Sequence, residues 1–287
     1  MATLTRHAPA KINLHLHITG RRDDGYHLLD SLVAFTNLYD TIEIRDASQF
    51  ELTINNAPDC PIADNLVTRA VHLLCTHFKI PPHIHIDLTK AIPMGAGLGG
   101  GSADAAATLL ALRDFWKLDA PNTLLKKFAS TLGSDIVACL QDKPIIMRDT
   151  GNTLLPAPTF PTLYGVLVIP PTHCPTPLVY KIYKDLNHKF SQNIIFPDAF
   201  DSTQSFCDFL NTKTQNYLTA AAIAVNPDVK TVLHELENLE NGLLTRLSGS
   251  GSSCFTLFKN ETTATKQCQI IQDKHPEWSV KYIRIND

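Results

Sequence analysis

The sequence lacks the cysteine pattern of a disulfide-bonded or zinc-binding protein. Its 287 residues include seven cysteines, an odd number, and none follows another at Cys-x-x-Cys spacing. Neither a disulfide framework nor a zinc knuckle is therefore predicted, and a reducing compartment is favoured. Cys139 and Cys254 stand among apolar neighbours, which predicts small core residues rather than nucleophiles.

Long apolar runs and basic blocks are also missing. No stretch approaches the ~20 apolar residues of a membrane helix, and the first residues lack the apolar core of a signal peptide. The net charge is -3, which gives no electrostatic reason to expect nucleic acid or an anionic membrane as a partner. We therefore expect a cytoplasmic protein, a monomer or homodimer, that acts on a small molecule.

The composition is that of a globular protein large enough for two domains. Hydrophobic residues make up 44% and charged residues 18% of a chain that exceeds the usual size of one domain. Three prolines within residues 152–161 predict a boundary, with one domain over 1–155 and another over 156–287. Strands mixed with clustered helices favour an α+β fold over a doubly wound sheet.

Hydrophobic periodicity predicts the elements on which candidate site residues lie. Residues 10–19 alternate apolar and polar positions, as a half-buried strand does, with Lys11, Asn13, His15 and His17 on the polar face. We expect the two histidines to be partly exposed rather than metal ligands. Further strands are predicted at 30–37, 41–45, 50–54, 83–88 and 164–169, and helices at 65–79, 102–116 and 124–132.

A glycine cluster before a helix is the densest signal. Five of the 13 glycines fall within residues 95–101. Glycine lets successive backbone N–H groups converge on an anion, and the start of the following helix adds its own N–H groups. We predict that a nucleotide's phosphates are held by Pro93, Met94, Gly95, Ala96, Gly97, Leu98, Gly99, Gly100, Gly101, Ser102 and Ala103.

The loop alone leaves the class of nucleotide open. Gly95, Gly97 and Gly100 satisfy the dinucleotide fingerprint, and Asp114 lies near the distance of its ribose-binding acid, so an oxidoreductase stays an alternative. Against it, Pro93 interrupts the strand that should lead into the turn. A Walker A loop is excluded because no Gly-Lys-Ser/Thr follows.

A phosphotransferase built on this loop needs a cation and a carboxylate from elsewhere, because the loop has no lysine. Lys11 and Asp135 are candidates. Lys11 lies in a strand of otherwise apolar and short polar residues, where it either reaches a cleft or extends to solvent from the strand end. Asp135 follows Gly133 and Ser134, and a helix cap is the alternative for it.

Four blocks, in this order, resemble the GHMP kinases. They are Ala-Pro-Ala-Lys-Ile-Asn-Leu at 8–14, Gly-Tyr-His-Leu at 25–28, the glycine loop at 93–102 and Ser-Gly-Ser-Gly-Ser at 248–252. The resemblance implies a two-domain α+β fold, with an N-terminal ribosomal protein S5 domain 2-like unit and a C-terminal ferredoxin-like α/β-plait unit. It also implies an ATP-dependent kinase acting on an alcohol.

The resemblance assigns roles at the reaction centre. Asp135 would be the general base that takes the proton of the attacking hydroxyl, and Lys11 would stabilise both groups. ATP and Mg²⁺ are the implied cofactors, with the Ser102 hydroxyl offered to phosphate or Mg²⁺. The Gly-Tyr-His block and the triple glycine indicate the branch whose substrate is a cytidine diphosphate-linked methylerythritol, phosphorylated on its 2-hydroxyl for isoprenoid synthesis.

Substrate-binding positions also come from the resemblance: Asn13, Tyr26, His27, Thr176, Tyr180 and Gly249. Tyr26, His27 and Tyr180 would surround the cytosine, and Asn13 would reach the erythritol hydroxyls. The chain departs from the family where Asn216-Tyr217-Leu218-Thr219 replaces a segment with two acids. A kinase for another small alcohol, of the homoserine or mevalonate type, and a catalytically silent binding protein are the remaining alternatives.

Overall fold

The computed structural model describes residues 3–141, 143–186 and 189–286. Within these residues there are eleven strands and nine helices. The strands are β1 (Thr3–Asn13), β2 (His17–Arg21), β3 (His27–Asp46), β4 (Glu51–Asn55), β5 (Ile84–Thr89), β6 (Ile145–Asp149), β7 (Thr153–Pro156), β8 (Leu163–Ile169), β9 (Leu244–Leu247), β10 (Cys254–Phe258) and β11 (Ser279–Ile285). The helices are α1 (Leu66–Phe78), α2 (Gly100–Phe115), α3 (Asn122–Leu132), α4 (Ser134–Cys139), α5 (Thr176–Asp185), α6 (Thr203–Lys213), α7 (Thr219–Val225), α8 (Asp228–Glu237) and α9 (Glu261–Lys274).

The chain forms two compact units that alternate along the sequence. The first comprises Met1–Lys11, Leu38–Met94 and Gly99–Asp142, and the second Ile12–Asn37, Gly95–Leu98 and Lys143–Asp287, as far as these ranges are described. The glycine loop thus supplies residues to both. The division into 1–155 and 156–287 stays a prediction.

The first unit joins a small sheet to a helical layer. The end of β3 pairs antiparallel with β5, and β4 pairs with the other edge of β5 in parallel. Helix α1 begins after Asn65, whose side chain accepts a hydrogen bond from Val67 N at 2.9 Å. Helices α1, α2, α3 and α4 pack together, and the Ala- and Leu-rich face of α2 is buried.

The second unit is centred on strand β8, which is flanked by antiparallel partners β10 and β11, with β9 beyond β10. Helices α8 and α9 pack on these strands, and Val166, Leu247 and Ile271 belong to the buried core. The start of β3 also pairs with β2 and with β6. No helix of the described residues has the length and apolarity required to cross a membrane.

The structure corrects the prediction for residues 10–19. The predicted strand is two strands, because β1 ends at Asn13 and β2 begins at His17. His15 and His17 are buried rather than partly exposed, with 0% and 4% exposure. The covering chain is distant in sequence: Leu16 N donates to Gln215 O at 3.0 Å and Tyr217 N donates to Leu16 O at 2.9 Å. The alternation of apolar and polar residues cannot reveal that a segment distant in sequence covers the polar face of a strand.

Candidate active site

The second half of the glycine loop leads directly into helix α2 in the first unit. Gly99 precedes the helix, and in the described part of the chain no side chain caps this end or places an acid in its first turn. The N–H groups of Gly100, Gly101 and Ser102 therefore lie at the positive end of the helix dipole, where an anion is favoured. This is the geometry that the sequence predicted for phosphate.

The structure brings Lys11, Asp135 and this loop together. The Lys11 ammonium lies 3.3 Å from the Asp135 carboxylate, with side-chain exposures of 8% and 38%. A methyl group on Gly99 would lie 2.8 Å from Lys11 Cγ, so only glycine lets the lysine stem run along the loop. The buried lysine does not extend to solvent, and Asp135, in the first turn of α4, forms an ion pair rather than a helix cap.

Asp114 does not join the loop. It lies near the end of α2, fourteen residues after Gly100 and hence about 20 Å along the helix. Its carboxylate pairs with Arg6 at 3.3 Å and Arg113 at 3.0 Å. This placement removes the ribose-binding acid that the dinucleotide alternative requires.

A buried charge cluster beside the loop was missed by sequence reasoning. Lys90 Nζ contacts the Asp40 carboxylate and lies 2.6 Å from Asp104 Oδ2, and all three residues are at most 7% exposed. Asp40 Oδ1 also accepts hydrogen bonds from Ala91 N and Ile92 N at 2.5 and 2.8 Å. The cluster thus joins the end of β5 to the first turns of α2. The available signal was Asp104, an aspartate within the Ala-rich start of α2.

Burial and charge compete within this cluster. Burial raises the pKa of Asp104, and Asp40 raises it further, against the opposing effect of Lys90. Burial disfavours the charged form of Lys90, but the two carboxylates outweigh it and raise its pKa. The lysine therefore stays charged and holds the two acids.

In the second unit, the first half of the glycine loop rests on the Ser-Gly-Ser-Gly block. A methyl group on Gly97 would lie 2.7 Å from both Ser248 O and Gly251 O, and Gly97 has φ +76°. Both the close approach and the left-handed backbone therefore require glycine. Ser253 Oγ donates to Ala96 O at 2.6 Å, which fixes the neighbouring residue.

Asn13 lies at the same block. Its Nδ2 donates to Ser31 Oγ at 2.7 Å, and Ser31 Oγ donates to His15 O at 2.6 Å. A methyl group on Gly249 would lie 3.5 Å from Asn13 Oδ1, so these two predicted substrate residues are neighbours. Asn13 is 1% exposed, which makes it part of a fixed polar network.

Two of the three predicted cytosine residues, His27 and Tyr180, contact each other in the second unit. The Tyr26 side chain is 69% exposed, whereas the His27 ring lies against Tyr180 of α5, with centroids 5.1 Å apart and planes at 30°. Burial and the nearby Arg21 lower the pKa of His27, which favours a neutral ring. Thr176, at the start of α5, contacts Ser250 Oγ at 2.8 Å through its hydroxyl.

The cysteines predicted to be core residues are buried. Cys139 is 7% exposed and Cys254 0%. Burial raises the pKa of the Cys139 thiol to about 12 and also raises that of Cys254. Both are therefore protonated at neutral pH and are not nucleophiles.

Comparison with known proteins gives the family. Residues 65–143 match the model of the GHMP kinases N terminal domain, and residues 200–277 match that of the GHMP kinases C terminal. A protein of Paramagnetospirillum magneticum named 4-diphosphocytidyl-2-C-methyl-D-erythritol kinase is 37% identical over 97% of each chain. One of the same name from Ruegeria pomeroyi is 39% identical over 97% of this chain and 98% of its own.

The chain belongs to the GHMP kinase family. A crystal structure of 4-(cytidine 5'-diphospho)-2C-methyl-D-erythritol kinase agrees with a TM-score of 0.82 at 29% identity, covering 99% of this chain and 100% of that one. The Methanococcus jannaschii mevalonate kinase shares the fold, with a TM-score of 0.71 at 13% identity over 100% and 99% of the two chains. The two-domain α+β fold is confirmed. As a GHMP kinase, the chain is an ATP-dependent small-molecule kinase.

Proposed function

We propose that the chain transfers the γ-phosphoryl group of ATP to the 2-hydroxyl of 4-diphosphocytidyl-2-C-methyl-D-erythritol, giving the 2-phosphate and ADP. The observation that supports phosphoryl transfer is the 3.3 Å Lys11–Asp135 pair, whose lysine stem lies on Gly99 of the phosphate loop. The choice of acceptor is supported by the named relatives that match over nearly the full chain.

In the proposed reaction, Asp135 accepts the proton of the 2-hydroxyl as its oxygen attacks the γ-phosphorus. The bond from that phosphorus to the β,γ-bridging oxygen breaks, and ADP leaves with the electron pair. The Lys11 ammonium, 3.3 Å from the Asp135 carboxylate, stabilises negative charge on the attacking oxygen. The N–H groups at the start of α2 offset charge on the phosphates.

Mg²⁺ would enter with ATP. The Ser102 hydroxyl, in the first turn of α2, is a hard oxygen donor that suits this ion, and Mg²⁺ usually takes its other ligands from phosphates and water. When bound, the ion supplies positive charge to the β- and γ-phosphates. We assign it no other protein ligand.

The acceptor would be recognised in the second unit. We propose that the exposed Tyr26 ring stacks on the cytosine together with Tyr180, and that His27 hydrogen-bonds to its edge. Asn13 would contact the erythritol hydroxyls, with Gly249 and Thr176 beside them. We also propose that the enzyme works in the cytoplasm as a monomer or homodimer, with nucleotide binding and catalysis in 1–155 and the substrate site completed by 156–287.

The experiment compares acceptors. ADP release from ATP and Mg²⁺ is followed with the cytidine-linked erythritol, homoserine and mevalonate in parallel. Turnover with only the cytidine compound is expected. Preferred turnover of another alcohol would refute the acceptor, and ATP binding without turnover of any of them would favour a silent binding protein.

The catalytic assignment is tested with Asp135→Asn. Loss of the general base should lower kcat by on the order of 10²–10⁴ while ATP binding is retained. The matched control is Asp114→Asn, the same change at an exposed acid of the same unit that pairs with Arg6, and it should leave turnover unchanged. Full activity of Asp135→Asn would remove this residue from the mechanism.

A further inference from the structure

The segment in which the family's two acids are replaced holds a buried asparagine whose side chain is fully engaged. Asn216 is 5% exposed. Its Nδ2 donates to Leu247 O and to Gly249 O, both at 2.8 Å, and its Oδ1 accepts from Leu218 N at 2.9 Å. Both amide hydrogens thus bind carbonyls on either side of Ser248, at the start of the Ser-Gly-Ser-Gly block.

That block supports the phosphate loop. A methyl group on Gly249 would lie 2.9 Å from Gly97 O, and Ser248 Oγ donates to the same oxygen at 3.4 Å. Ser253 holds Ala96 O through its N–H and its hydroxyl, at 3.2 and 2.6 Å. A shift of the Leu247–Gly249 turn would therefore displace Gly97.

Asn216 is itself held on a fixed support. The flanking backbone is hydrogen-bonded on both sides of Leu16, from Leu16 N to Gln215 O at 3.0 Å and from Tyr217 N to Leu16 O at 2.9 Å. The Thr219 hydroxyl donates to Asn216 O at 2.8 Å. Buried polar groups with every partner present rigidify their surroundings. The amide can thus transmit the position of this support to the turn.

We propose that Asn216 is a positioning residue for ATP, holding the Leu247–Gly249 turn so that Ala96 and Gly97 keep the backbone geometry that binds phosphate. The inference rests on the proposed function of the glycine loop. It needs an amide, because a carboxylate would face two carbonyl oxygens and an alanine would leave them unpaired. It needs neither of the missing acids, since the partners of the Asn216 side-chain amide are backbone groups of Leu247, Gly249 and Leu218.

The test measures ATP binding directly by calorimetry without acceptor, and then steady-state kinetics, for Asn216→Asp and Asn216→Ser. For Asn216→Asp we expect the Kd and KM for ATP to rise about tenfold or more, with kcat at saturating ATP changed by less than about threefold. Asn216→Ser keeps one donor and should lie between this variant and the wild type. The KM for the acceptor should stay unchanged.

The matched control is Asn211→Asp, which removes an amide donor from a carbonyl of the same unit, Leu243 O at 2.7 Å, at an exposed position. It should bind ATP as the wild type does. Wild-type ATP affinity in both Asn216 variants, with only a lower Tm, would overturn the proposal and leave a structural asparagine. If Asn216→Asp does not fold, the ATP affinity of Asn216→Ser decides the question. Because binding is measured without acceptor, a wrong acceptor assignment leaves this result intact.

Discussion

The buried histidine His17 should make the protein less stable as the pH falls below about 7. Burial and the nearby Arg246 lower the pKa of His17 from 6.5 to about 4. Gln215 N donates to its Nε2 at 3.1 Å, which fixes that nitrogen as an acceptor in a neutral ring. The pKa is thus depressed in the folded state, so between these values the unfolded chain binds more protons. The stabilising contribution is present above the unfolded pKa and is lost as the pH falls towards 4.

The size follows from the two pKa values. Between about pH 7 and about pH 5 the free energy of unfolding should fall by about 2 kcal/mol through His17 alone. His15 is also buried, with its pKa lowered by burial and by His17, so the wild type should lose more than this. Replacing His17 by Phe should remove the contribution of this residue. Between about pH 7 and about pH 5, the free energy of unfolding of the variant should therefore fall by about 2 kcal/mol less than that of the wild type.

The assay is urea unfolding of both proteins across this pH range. His17→Phe deprives Gln215 N of its acceptor and should be less stable at pH 7, but that offset does not depend on pH. The control is Tyr217→Phe, which keeps an aromatic ring against His17, where the centroids are 4.7 Å apart. The free energy of unfolding of this control should depend on pH as it does in the wild type. Parallel plots of the free energy of unfolding against pH for the wild type and His17→Phe would refute the reasoning.

Two further predictions concern ligand binding. Gly97→Ala should raise the KM for ATP at least about tenfold, because a left-handed alanine costs about 1–2 kcal/mol and its methyl group would lie 2.7 Å from two carbonyl oxygens. The control is Gly20→Ala, in the same unit but outside the loop, whose methyl group would lie 3.1 Å from the flexible Leu28 side chain. Equal KM values for the two variants would contradict the packing argument. Tyr26→Ala should raise the KM for the cytidine substrate by about tenfold through lost stacking, without changing that for ATP, and an unchanged acceptor KM would remove Tyr26 from the cytosine site.

Helices α1, α2 and α3 and the position of the glycine loop could be predicted from local pattern. Five clustered glycines and a following Ala-rich run indicate a loop and a helix start, and α2 begins at Gly100. The pairing of Lys11 with Asp135 came only from the family resemblance, since 124 positions separate them and no local pattern links them. Their 3.3 Å contact supports the pairing, while the roles of the site residues stay predictions.

The features that could not be predicted from the sequence depend on contacts between segments that are far apart in the chain. Alternation predicts a partly exposed face for His15 and His17, but the backbone near Gln215 covers them. Lys90 and Asp104 each looked unremarkable alone. Lys90 also contacts Asp40, fifty positions earlier in the sequence, and the three residues together form a buried charge cluster. Such contacts are set by tertiary packing, and propensity carries no information on them.

The support of the phosphate loop also bears on how the enzyme is made. Ala96 is hydrogen-bonded to Ser253, 157 positions later in the chain. A ribosome synthesises the glycine loop long before the block that supports it, so the loop cannot take its final position on a nascent chain that ends before Ser253. With ATP bound at this loop, as we propose, nucleotide binding is acquired only after Ser253 has left the ribosome, and ATP cannot assist the earlier folding steps.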